Sequence, residues 1–211
     1  LARRAVTDAA RALFLERGYQ ATTVDAISTA ADVPAPTVYR LFGSKAGILK
    51  ALLDVSIAGD DQAVSVQERP QVAPLFAERD PGKMLAAFAQ VTMAINVRSN
   101  EIYRILSSAS GADPAAADLF TDYQRQRDAG QGGIARALAR SGALRPGLHE
   151  RDAADLIHAL MSPEVYRLLV IDRGWAPGRY AEWLARTLTD QLTATPAAPP
   201  PRRPPTRTGG R

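Results

Sequence analysis

"VPAPTVYRLFGSKAGILKALL", residues 33–53, sets two prolines one residue apart ahead of Tyr39, Leu41, Phe42, Ile48, Leu49, Leu52 and Leu53 at near-helical spacing. The first turn of a helix carries backbone N–H groups with no internal partner. Proline lacks that group and brings a suitable φ, so Pro34 and Pro36 fit the opening turn of a short helix over about 34–42. Ser44 caps the next helix, to about residue 57. Upstream, Val6, Ala9, Ala10, Leu13 and Phe14 stripe a first helix that Gly18 is placed to stop. Thr22 is the expected cap of a second helix, with Asp25 completing a partial capping box and Ala26, Ile27, Ala30 and Ala31 on its buried side. Asp32 then has to make a tight turn, and aspartate tolerates left-handed geometry better than most residues.

Two helices joined by a tight turn, the second one short, form a helix-turn-helix, in which the second helix offers its N-terminal residues to base edges in the major groove. The side chains suit that task. Ala35, Pro36 and the methyl of Thr37 can meet a thymine methyl, Arg40 can reach a phosphate or a guanine, and the Tyr39 hydroxyl can donate to a phosphate. Lys45 opens a helix, where the dipole disfavours a cation, and is expected to dock a phosphate there. Thr22 and Thr23, at the start of the second helix, are expected to do the same.

On these residues the chain resembles the TetR (tetracycline-repressor-like) family of transcriptional regulators. The resemblance runs over 12–53 and rests on Leu13-Phe14, Gly18-Tyr19, Thr22-Thr23, Ile27, Ala31, Val33, Thr37, Tyr39, Phe42, Ser44 and Lys45 in their joint spacing. Asp32 stands where glycine is usual, Pro34 replaces the common serine cap, and Ala46 and Gly47 replace acidic residues. The resemblance implies an all-α fold of about nine helices: a helix-turn-helix DNA-binding domain at 1–46 and a helical effector-binding and dimerisation domain at 47–195. It also implies a homodimeric regulator, a repressor that leaves a palindromic double-stranded operator when a small effector binds, with no cofactor and no metal. The alternatives are an all-helical enzyme using a C-terminal cavity, or a helical interaction module with a basic tail. Against the enzyme, the chain displays no nucleophile–base pair, metal cluster or glycine-rich phosphate loop at interpretable spacing.

Composition narrows the class. No apolar run approaches the ~18 residues of a membrane span, no signal peptide is visible, and cysteine is absent, which excludes disulfides and cysteine-bearing zinc sites. On these features a cytoplasmic protein with no membrane partner is expected. The net charge of +4 comes from Arg202, Arg203, Arg207 and Arg211, in a proline-rich tail at 196–211 expected to be disordered. Residues 1–50 keep a local excess of +3, enough to steer toward phosphates.

Beyond the connector at 59–81, periodicity predicts a fifth helix with Met84, Leu85, Phe88, Val91, Thr92 and Ile95 on one stripe, and a shorter sixth carrying Ile102, Ile105 and Leu106. A seventh helix opens at Asp113-Pro114 and has a weak point at "GQGG", 130–133, where each glycine costs about 1 kcal/mol. An eighth spans 150–172 with Pro163 inside it, and a ninth about 177–193. Polar residues on apolar faces mark pocket candidates: Phe88, Thr92, Asn96, Tyr123, Arg127, His158 and Met161, suited to an apolar or aromatic effector with a few polar groups. The resemblance assigns the last two helices to the dimer interface, and Val165, Leu168, Leu169, Trp175, Trp183, Leu184 and Leu188 supply the apolar surface for it.

Overall fold

Helical periodicity carries through almost the whole chain. The computed structural model describes residues 1–59, 66–70 and 72–194, and among them there is no β-strand. The tail at 196–211 lies outside the described residues. The protein is all-α, with an N-terminal helix-turn-helix unit and a larger helical C-terminal part. The first unit holds α1 (Ala2–Ala21), α2 (Val24–Ala31), α3 (Ala35–Phe42) and α4 (Lys45–Ala58). Two short 3-10 turns, Val66–Glu68 and Ala73–Ala77, occupy the connector. The C-terminal part holds α5 (Pro81–Ser110), α6 (Pro114–Arg140), α7 (Glu150–Leu160), α8 (Pro163–Tyr166, widened into a π turn over Arg167–Ile171) and α9 (Pro177–Leu192). No helix among the described residues is long and apolar enough to cross a membrane.

Two apolar clusters hold these helices. One joins Phe14, Ile27, Val38, Ile48 and Leu49 of α1–α4 to Ile102 and Leu106 of α5 and to Tyr123 of α6. The other joins Leu85 and Phe88 of α5, Leu138 of α6, Ile157 of α7 and the α9 stripe Tyr180, Leu184, Leu188 and Leu192. Ile48 and Leu49 of α4 thus share a core with α1 and with the C-terminal third of α5.

Several helix boundaries differ from expectation. Gly18 takes a non-helical backbone (φ 79°, ψ 163°), so the first run of α1 stops there as expected, and a further short turn carries on to Ala21. The predicted fifth and sixth helices are one, α5. Its polar run stays helical because Asn96 Nδ2 donates to Thr92 O (3.0 Å), Ser99 Oγ to Ile95 O (2.9 Å) and Asn100 Nδ2 to Pro163 O (2.9 Å). The "GQGG" run stays inside α6. The ring of Phe76 lies against Gly133, where an added Cβ would sit 3.2 Å from Cε1, so the glycine leaves room for that contact. Pro163 does not ride inside a helix: α7 ends at Leu160, and Ser162 caps α8 by accepting from Val165 N. Asp32 adopts the expected left-handed backbone, φ 51° and ψ 43°.

Candidate functional site

The turn between α2 and α3 is closed from one residue, Ser28. The backbone carbonyl of Ser28 accepts from Val33 N (3.1 Å), and Ser28 Oγ donates to Val33 O (2.6 Å), so the polar backbone of buried Val33 is satisfied. Pro34 stands just before α3 with an extended backbone, and its carbonyl accepts from Thr37 N and Val38 N. Only Val38 of α3 is fully buried. It pins the helix to the core, leaving Pro36, Tyr39 and Arg40 exposed and Ala35 and Thr37 half-buried on the outer edge. Tyr39 keeps 50% of its surface free. Arg3 is a contributor that sequence reasoning missed: its Nη1 donates to Leu41 O (3.2 Å) and its guanidinium lies 4.7 Å from the Phe42 ring centre, tying the start of α1 to the end of α3.

Two expected DNA contacts have other employment. Thr22 is fully buried, and its hydroxyl donates to Gly18 O (2.8 Å) and Leu13 O (3.3 Å), so it stitches the bend in α1 and is withdrawn from any ligand. Its neighbour Thr23 is the actual cap of α2, accepting from Ala26 N (3.1 Å), and is exposed. Lys45 is half-buried: its Nζ donates to Tyr19 O (2.9 Å) and sits 4.2 Å from the centre of the Tyr19 ring. The end of α1 thus holds Lys45 through one of its three N–H donors. Burial pushes the Lys45 ammonium down from the usual lysine range, against the pull of the nearby Asp113 charge.

Asp113 completes this junction. It caps α6 through Ala115 N and Ala116 N, and it accepts the Tyr19 hydroxyl at 2.9 Å. The Tyr19 hydrogen bond, with the two backbone N–H donors, holds its carboxyl below the usual carboxylate range despite partial desolvation. Asp113→Ala should cost about 1–2 kcal/mol in a denaturant titration, from the lost cap and the unpaired Tyr19 hydroxyl. Asp113→Asn, which can still cap, should recover most of it. Because the folded state depresses this group, its contribution is whole at neutral pH and disappears as pH falls below the ordinary carboxylate range through the folded value. An acid titration of stability should show that loss in the parent and not in Asp113→Ala.

The second feature is a cavity of about 290 Å³ between α5 and α6. Phe88, Thr92 and Asn96 line it at four-residue spacing along α5, and Tyr123, Arg127 and Gln131 do the same along α6. Phe76, Met161 and Ile57, the last near the end of α4, also line it. Six of the seven pocket candidates meet here. His158 does not: its Nδ1 lies 2.8 Å from Asp128 on the outer side, while its backbone carbonyl accepts from Arg127 Nη2 (3.1 Å) and aims that guanidinium. Burial pushes the Tyr123 phenol up to about 12, with Arg127 pulling down and Glu164 pushing up, so it remains a neutral donor. Gln131, unforeseen from the sequence, is buried with its Oε1 unpartnered. The signal for it was its place one turn beyond Arg127 on the stripe that starts at Tyr123.

Of the expected dimer residues, Leu184 and Leu188 are fully buried in their own chain's core, because α9 lays that stripe on α5 and its neighbours. Val165, Leu169, Trp175 and Trp183 are half-buried, and Leu168 is 49% exposed. Ile171, 54% exposed, adds to the same end of the molecule.

A pinned turn, a short exposed helix after it and a larger helical part with a cavity make up a helix-turn-helix unit joined to a helical domain. Residues 6–52 match the family model described as "Bacterial regulatory proteins, tetR family". Over those residues the chain is similar to that family. Its fold is that of NalD, the secondary repressor of the MexAB-OprM multidrug efflux pump in Pseudomonas aeruginosa (TM-score 0.69, 23% identity, 91% of this chain and 96% of that one). The fold is also that of SmeT in complex with triclosan (TM-score 0.67, 18% identity, 92% of each chain). FadR from Bacillus subtilis, bound to stearoyl-CoA, is similar too (TM-score 0.69, 17% identity, 89% of this chain and 98% of that one). No curated protein matches the chain.

Proposed function

We propose that this protein is a cytoplasmic, homodimeric repressor that holds a near-palindromic operator through two α3 helices and is released when an apolar or aromatic small molecule fills the α5–α6 cavity. Residues 1–46 carry DNA contact, through Thr23, Ala35, Pro36, Thr37, Tyr39 and Arg40, and residues 47–195 carry effector binding and dimerisation. It acts by binding and is not a catalyst. The observation that supports this most is that one helix touches both features. Ile57 of α4 lines the cavity, Arg98 of α5 donates to Ser56 O (3.2 Å) and Ile57 O (2.9 Å) at its end, and Lys45 at its start grips α1. A ligand that pushes Ile57 can shift the α3 pair, provided it has unequal affinity for the bound and released arrangements.

The ligand-bound structures of SmeT and FadR and the repressor NalD give this reading company within the fold. Gel-shift titration of a selected duplex tests it. Two chains should bind per duplex, with half-sites about one turn (~34 Å) apart. A chain lacking residues 196–211 should keep the same sequence preference. If removing the tail abolishes binding, the basic tail is the binding element and α3 is not.

A further inference from the structure

The cavity wall has two polar groups that its own chain leaves unfinished. Arg127 spends one N–H on Gln124 Oε1 (2.9 Å) and one on the His158 carbonyl (3.1 Å), and among the described residues no carboxylate pairs with it. A guanidinium has five N–H donors, so three remain. One turn along α6, Gln131 is 8% exposed, lines the cavity, and holds Oε1 away from any hydrogen-bond partner. A buried acceptor left unpaired is unfavourable, and a ligand's donor can relieve it. Residues four apart on a helix stand about 6 Å apart at their Cβ atoms, so one small head group can serve both. Around them the wall is apolar and aromatic, with Phe76 and Phe88 packed as a tilted pair at 4.9 Å. Asn96 spends one of its two Nδ2 donors on Thr92 O.

We propose that the cavity selects a small aromatic acid: an anionic carboxylate on Arg127, a hydrogen-bond donor beside it for Gln131, and a one- or two-ring body against Phe76 and Phe88. This rests on reading the cavity as the effector site and adds the class of effector. At about 290 Å³ the space lies at the small end of small-molecule sites, which suits a body of that size.

Calorimetric titration of the full chain with four near-isosteric probes tests it: indole-3-acetate (anion and donor), indole-3-acetamide (neutral, donor), tryptamine (cation, donor) and 1-naphthylacetate (anion, no ring donor). Indole-3-acetate should bind about 10-fold or more tighter than the amide, with tryptamine weakest. It should also exceed 1-naphthylacetate by about 3- to 10-fold. Arg127→Gln should bring the acid and amide level, and Arg127→Lys should restore part of the preference. Gln131→Leu should remove the advantage over 1-naphthylacetate, with thermal melts certifying each fold. Equal affinities, a preference for tryptamine, no binding by any probe, or an acid preference that survives Arg127→Gln would each overturn the proposal. Duplex release is scored separately. If the acids bind in the expected order without altering duplex affinity, the effector reading falls and the selectivity stands. If none binds while another compound releases the duplex, the reverse holds.

Discussion

Changing Tyr39 and Arg40 together to alanine should weaken operator binding by about 100-fold and leave the unfolding midpoint nearly where it was. Both side chains are exposed on α3, and neither engages another described side chain through a hydrogen bond or ion pair. The helix itself is fixed by Val38 and by Arg3 at its end, which the change leaves intact. Arg40→Ala alone should flatten the dependence of log affinity on log salt by about one, if it neutralises one phosphate. If it instead reads a guanine, the loss concentrates at one position of the operator. Lys45→Ala provides the contrast. It breaks the hydrogen bond to Tyr19 O and the contact with the Tyr19 ring, so it should lower thermal stability as well as any DNA affinity.

The second large effect separates core from interface. Leu184→Ala should cost about 2–5 kcal/mol, because the side chain is fully buried within its own subunit and its loss leaves a cavity there. That deficit against the parent should persist at every protein concentration. Leu168→Asp with Ile171→Asp should act the other way: little loss of secondary structure, but a shift from two subunits to one in sedimentation, since both residues are about half exposed at the end of α8. A variant that stays dimeric would move the interface elsewhere. A dimer lost on Leu184→Ala in a still-folded protein would return that residue to the interface.

The helix-turn-helix was legible because its signals are local. Proline in a first turn, a cap, a glycine stop and a left-handed aspartate each act within four residues, and their sum gave α2 to α4 nearly as they stand. What local signals do not show is contact between residues far apart in the chain. Lys45 finds Tyr19, 26 residues away, and Asn100 finds Pro163, 63 residues away, and neither contact leaves a mark in the local spacing. The cap of α2 falls one residue beyond Thr22, at Thr23, because a short turn over residues 19–21 follows the break at Gly18. The cavity was legible as a four-residue polar rhythm on two apolar helices. His158 shares the composition but not the face. For α9, amphipathicity revealed the stripe Leu184–Leu188 but not what covers it: a helix buried on its own subunit and one buried on a twin carry the same pattern.

The most direct measurement is selection of duplexes from a random pool by the full chain, with the Tyr39→Ala, Arg40→Ala variant run beside it. If α3 reads DNA, the parent enriches a near-palindrome with half-site centres about one helical turn apart, and the variant enriches nothing. A pool that stays random with the parent, or a palindrome that the variant recovers equally well, would mean that α3 is not the reading surface.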